Sequence, residues 1–178
     1  MTEVAREGAV RIRHLRASDR EAIQRIISDT GFFSEIEEAT ALELIDESLA
    51  RGEASGYICR VACELADDNA VLGYVCYGPI PLTVGTYDLY WVAVSPRAQG
   101  RGVGRALVNH TESEIAAAAG RLLLIETSSQ ELYQSTVGFY ERMGYAVLAR
   151  INDFYKIGDD KIVFGKYLGA PNVGTLER

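Results

Sequence analysis

Between a run rich in Tyr, Trp and Val over Thr86–Ser95 and a helical stretch over 102–119 lies Pro96-Arg97-Ala98-Gln99-Gly100-Arg101-Gly102-Val103-Gly104-Arg105. Three glycines at every second position let a backbone pass close to a ligand and turn its N–H groups inward, a path that a Cβ would obstruct. A strand enters this loop and a helix leaves it. A short apolar run at Leu122–Thr127, of the kind buried on both faces, then follows. Strand, loop, helix, strand is one parallel βαβ crossover, and it commits the chain to a sheet with helices packed on it.

The rest of the chain reads as hairpins and amphipathic helices. Val10, Ile12 and Leu15 start a short strand, and Ser18 or Asp19 caps a helix running to about Asp29, with Ile23, Ile26 and Ile27 on one face. Gly31 breaks that helix. A second helix covers 35–51, with Ala41, Leu44, Ile45 and Leu49 on one face, and ends at Gly52. Tyr57–Leu65 and Val71–Tyr77 form a hairpin around the turn at 66–70, and Gly78-Pro79-Ile80-Pro81 ends the pairing. After Leu122–Thr127, a helix from about Tyr133 to Met143 stops at Gly144. Segments 146–155 and 161–168 then close the fold as a hairpin around Gly158-Asp159-Asp160. The expected class is α+β: a mixed, mostly antiparallel sheet of about seven strands flanked by about four helices. One domain is expected over 10–169, with tails at 1–9 and 170–178.

With 178 residues, 48% of them hydrophobic and 24% charged, such a chain can bury a sizeable core. The 18 Lys and Arg against 25 Asp and Glu leave a net charge of -7, which disfavours nucleic acid as a partner and favours cationic substrates. No apolar run approaches the ~20 residues of a membrane helix. The opening MTEVAREGAV lacks the hydrophobic segment of a signal peptide. Cys59, Cys63 and Cys76 sit among strand-like residues and read as reduced, buried thiols, so the cytoplasm is the expected compartment. Nothing in the sequence calls for a metal.

The arginines at 97, 101 and 105 and the positive end of the following helix suit the loop to a pyrophosphate-bearing ligand. A nucleotide-triphosphate loop would need Lys-Ser or Lys-Thr after the glycines, and none is there. The dinucleotide fingerprint would need a third glycine where Leu107 stands. Gln99-Gly100-Arg101-Gly102-Val103-Gly104 instead fits Gln/Arg-x-x-Gly-x-Gly/Ala. Upstream stands Leu-Tyr-Trp-Val-Ala-Val-Ser-Pro. Downstream, Gly138-Phe139-Tyr140-Glu141-Arg142-Met143-Gly144-Tyr145 fits Phe-Tyr-x-x-x-Gly-Phe/Tyr. In these three motifs, in this order within 88–145, the chain resembles the GNAT superfamily of acetyl-CoA-dependent N-acetyltransferases. The inferred element order is similar from about 10 to 168.

The resemblance implies a GNAT-like fold and acetyl-CoA as co-substrate. By the family pattern, Gln99, Gly100, Arg101, Gly102, Val103, Gly104 and Arg105 hold the cofactor's phosphates. Val92, Ala93 and Val94 flank the pantetheine arm and thioester, and Tyr140 protonates the departing thiolate. An alkyl ammonium with a pKa of ~10.4 is only about 0.04% neutral at pH 7, so a carboxylate that takes its proton is worth much of the barrier. Asp88, eleven residues before Gln99, and Glu126, on the following strand, stand where family members carry that acid. The family's frequent Asn seven residues before the Tyr is Tyr133 here, and Ser128, Ser129 or Gln130 are the candidates to replace it.

For the acceptor, Phe32-Phe33-Ser34-Glu35, Asp153-Phe154-Tyr155 and the tyrosines at 74, 77, 87 and 90 could furnish an aromatic and acidic pocket. The sequence carries no long basic or acidic groove signature, which favours a small-molecule primary amine over a peptide or protein amine. A non-catalytic acyl-CoA sensor is the reading from another class. A homodimer is compatible with all of these.

Overall fold

The structure is a computed structural model that describes residues 10–169. The tails expected at 1–9 and 170–178 lie outside the described residues. The chain divides into two compact units. The first runs to Pro79 and resumes over Leu89–Thr111; the second holds Ile80–Asp88 and the chain from Glu112 on.

In the first unit the strands are β1 (Val10–His14), β2 (Ile58–Glu64), β3 (Val71–Pro79) and the larger part of β4 (Thr86–Val94), neighbours in that order. β1 and β3 both run antiparallel to β2, with a bulge at Ala62/Cys63 in the β2–β3 register. Helices α1 (Arg20–Thr30) and α2 (Glu35–Arg51) supply Ile23, Ile26, Ile27, Ala41 and Ile45 to a core shared with Val61, Cys63, Tyr74 and Ala93. Ser34 starts α2 with a reciprocal capping box: its hydroxyl accepts from the Glu37 N–H while the Glu37 carboxylate accepts from the Ser34 N–H. Such a cap is worth about 1 kcal/mol. Gly31 closes α1 in the left-handed region, where its φ of 66° would strain a residue with a side chain.

One local expectation is corrected. Asp19 stands at the N-cap of α1, but its side chain makes no capping hydrogen bond to that helix, because a 3-10 turn over Ala17–Asp19 leads into it. The buried Asp19 carboxylate instead accepts from both Arg13 guanidinium NH2 groups at 2.7 and 2.8 Å and from the Arg16 N–H. The pairing of β3 with β2 ends at Tyr77, opposite Ile58, as expected, while β3 itself continues to Pro79. Gly78 is required because a Cβ there would stand 1.9 Å from the Gly56 carbonyl oxygen.

The second unit holds β5 (Leu122–Ser128), α4 (Gln134–Arg142), β6 (Ala146–Lys156) and β7 (Asp159–Tyr167), with β7 antiparallel to both β5 and β6. α3 (Val103–Ala117) starts in the first unit and ends in the second. The closing hairpin turns one residue earlier than expected. Lys156 pairs with Asp159 across Ile157-Gly158, and Gly158 takes a φ of 83°. Asp159 and Asp160 therefore belong to β7. The Asp159 carboxylate is buried and accepts from Ser128 Oγ and Gln130 Nε2, both at 2.5 Å.

Candidate active site

In the first unit, β4 leads into the glycine loop. The Ser95 N–H donates to the Leu72 carbonyl at 2.8 Å, and a 3-10 turn over Pro96–Ala98 follows. Ala98 and Val103 are buried and anchor the loop at either end, while Gln99, Gly100, Arg101 and Gly102 are exposed between them. Gly100 and Gly102 have φ values of 74° and 81°, conformations that L side chains rarely adopt. The Ala106 N–H donates to the Gly102 carbonyl at 2.9 Å, which closes the first turn of α3. The N–H groups of Val103–Arg105 thus lie at the helix start, outside the i→i−4 ladder, where anions are favoured. Arg101 also bonds the Glu64 carboxylate at 3.0 and 3.2 Å, so part of its charge is engaged within the protein. Arg97 is exposed. Ahead of the loop, Ala93 is buried in the core while Val92 and Val94 are half-buried.

The second unit brings the two candidate acids together. Asp88, near the start of β4, is half-buried. Burial, and then the nearby charge of Glu126, push its carboxyl up to about 6, against the opposing pull of Lys161. Glu126 on β5 is bonded to Lys161 on β7 at 2.5 Å. Glu126 pairs in register with Val163 and Ser128 with Lys161, so the ion pair is a diagonal contact on one face of the sheet. The Lys161 ammonium also lies 4.1 Å from the centroid of the Phe154 ring. Glu126 is thereby held as the partner of a cation, and Asp88 is the acid that titrates near neutrality. No local pattern in the sequence marked Lys161, which is 35 residues from Glu126 and meets it only through strand register.

Tyr140 on α4 is buried against Phe139, Tyr145 and Phe164, with ring centroids 5.2, 5.7 and 5.9 Å away. Burial raises its phenol above the ordinary value, so it stays protonated and can act only as a donor around neutrality. Ser128 and Gln130 give their side chains to Asp159, and the Ser129 hydroxyl accepts from the Asp160 N–H. The three candidates to replace the missing Asn are thus engaged in holding β7. Tyr133 stands at the N-terminus of α4. Tyr74 and Tyr77 are buried core residues, so they do not furnish an acceptor pocket. Phe154 and Tyr155 are about half exposed.

The sequence profile of the acetyltransferase (GNAT) domain matches residues 56–147. A crystal structure of a GNAT-family protein from Desulfovibrio desulfuricans is 43% identical, covers 90% of this chain and 100% of its own, and superposes with a TM-score of 0.86. The chain belongs to the GNAT acetyltransferase family. Over its described residues this acetyltransferase has the expected α+β class, with seven strands in a mixed sheet and four α-helices. Two more distant structures share the fold. The ribosomal-protein-S18-alanine N-acetyltransferase from Escherichia coli is 19% identical, with a TM-score of 0.71 over 93% of this chain and 98% of its own. An aminoglycoside 6'-N-acetyltransferase complexed with coenzyme A is 15% identical, with a TM-score of 0.70 over 90% of this chain and 98% of its own. Among the described residues no group of three or more His, Cys, Asp or Glu could hold a metal ion, and no helix is long and apolar enough to cross a membrane.

Proposed function

We propose that this acetyltransferase moves the acetyl group of acetyl-CoA directly to the primary amine of a small, cationic molecule. The observation that carries the reading is strand β4: it holds Asp88, an acid poised near pH 6, near its start and delivers the chain into the left-handed glycine loop at its end. In this reading the loop residues Gln99–Arg105 take the cofactor's phosphates, and Val92, Ala93 and Val94 flank its thioester. Asp88 accepts the ammonium proton, directly or through a water, and the neutral amine attacks the carbonyl carbon. The carbon–sulfur bond breaks as the tetrahedral intermediate collapses, Tyr140 gives its proton to the thiolate, and the remaining extra proton of the attacking nitrogen passes through water to restore the phenol. The net charge of -7 supports a cationic acceptor over an anionic one. The test is release of free coenzyme A thiol across a panel of amines and peptides. Turnover with small primary amines is expected. Turnover with peptides alone would transfer the activity to a protein acceptor, and tight acetyl-CoA binding without turnover would make the domain a sensor.

The pH profile separates the two acids. Asp88 is anionic above about pH 6, so kcat/KM should fall as the pH drops through that value. Asp88→Asn removes this limb and slows the reaction by at least about tenfold at pH 7, with partial rescue at pH 9, where more of the amine is already neutral. Glu126→Gln keeps the limb but moves it to lower pH, because the charge that raises Asp88 is gone while Lys161 remains. The reverse pattern in the two variants would make Glu126 the base.

A further inference from the structure

The first unit contains a second reactive cluster that acetyl transfer does not use. Cys59 on β2 and Cys76 on β3 are direct partners in the antiparallel register, both buried and both free thiols. Opposed residues of an antiparallel pair share a face and have Cα atoms about 4.5–5.5 Å apart, inside the range of about 4.4–6.8 Å that a disulfide spans. The two thiols are hydrogen-bonded to each other, and Ser48 of α2 also bonds Cys59. Cys59 and Ser48 both line a cavity of about 180 Å³, together with His14, Glu53, Tyr57 and Arg60. Cys59 thus borders a cavity beside the pair, with the charge of Arg60 acting on its thiol. The Cys76 and Ser48 bonds and the Arg60 charge hold the Cys59 thiol below its ordinary value, whereas its bond to Cys59 and burial push Cys76 up. The buried Tyr74 hydroxyl, close enough to feel the charge of both thiols, has no hydrogen-bond partner. Cys63 differs: it is buried, it faces Val71 rather than a thiol, and burial raises it.

We propose that Cys59 and Cys76 form a reversible redox site, in which a hydroperoxide entering the cavity oxidises Cys59 and Cys76 resolves it to a cross-strand disulfide. In the first step the Cys59 thiolate attacks the terminal peroxide oxygen. The S–O bond forms as the O–O bond breaks, sulfur gives up two electrons, and the released alkoxide or hydroxide takes the proton that Cys59 lost on ionising and leaves as an alcohol or, from hydrogen peroxide, as water. In the second step the Cys76 sulfur displaces hydroxide from the sulfenic acid. The S–S bond forms, the S–O bond breaks, and the hydroxide departs as water with the Cys76 proton. From hydrogen peroxide the sum is two thiols and one peroxide giving one disulfide and two waters. The unpaired Tyr74 hydroxyl is a donor for the transient sulfenic oxygen.

The test treats the reduced, folded protein with stoichiometric hydrogen peroxide, blocks remaining thiols after unfolding, and maps the chain without reductant. Trypsin together with cleavage at Asp67 and Asp68 puts the three cysteines on separate peptides. The expected result is loss of two of three thiols, a Cys59–Cys76 cross-linked peptide two hydrogens lighter than its parts, a free Cys63, and full reversal by dithiothreitol. In Cys76→Ser, Cys59 should instead be trapped by dimedone as the sulfenic acid; the wild-type map decides the matter if that variant does not fold. Retention of all three thiols while circular dichroism shows the native fold would overturn the proposal. So would a Cys59–Cys63 link, or sulfinic acid at Cys59 with Cys76 still free.

Discussion

Tyr140→Phe lowers turnover by roughly 10²-fold or more, the usual range for removing a general acid, while acetyl-CoA affinity barely moves. The substitution removes one oxygen and keeps the ring that packs between Phe139, Tyr145 and Phe164. Because burial holds the phenol protonated beyond the ordinary tyrosine range, no limb of the pH profile below pH 10 belongs to Tyr140, and the loss should be uniform over pH 6–9. Three measurements check this: kcat on a good amine across that range, cofactor affinity by calorimetry, and the melting temperature. Near-normal kcat would reduce Tyr140 to a core aromatic. A collapse of affinity or melting temperature would show that the variant damages packing instead.

Substitution of the loop glycines should abolish tight cofactor binding and leave the fold in place. At Gly102 a Cβ would meet nothing within 4 Å, so the core is not touched, but the φ of 81° strains any side chain by about 1–2 kcal/mol. Gly102→Val therefore both distorts the loop and fills the path of an approaching pyrophosphate. Gly104 lies within α3, where a side chain has no conformational penalty, so Gly104→Ala tests close approach alone. Losing two charge-assisted backbone bonds at roughly 1.5 kcal/mol each is about a 10²-fold loss in affinity. Calorimetric titration with acetyl-CoA should show that loss in Gly102→Val and a smaller one in Gly104→Ala, with circular dichroism unchanged in both. Unaltered titrations would move the phosphates away from this loop.

What was legible in the residues themselves was whatever rests on short-range physics. Gly100 and Gly102 occupy left-handed positions that only glycine takes without strain, so the loop announced itself. The helical period of Ile23, Ile26 and Ile27 marked the buried face of α1, because that period is the geometry of the helix; β2 and β3 are buried on both faces and carry no such alternation. Asp88 and Tyr140 were visible as chemistry-bearing residues at family spacings. Tertiary structure alone decided what their neighbours do. Lys161 pairs with Glu126 through the β5–β7 register, 35 residues away in sequence, which no local pattern encodes. The same register commits Ser128 and Gln130 to Asp159, and the fold buries Tyr74 and Tyr77 in the core. The ionisation of Asp88 near pH 6 follows from the same cause: desolvation and the Glu126 charge are properties of a place in the fold, and the identity of a residue carries neither.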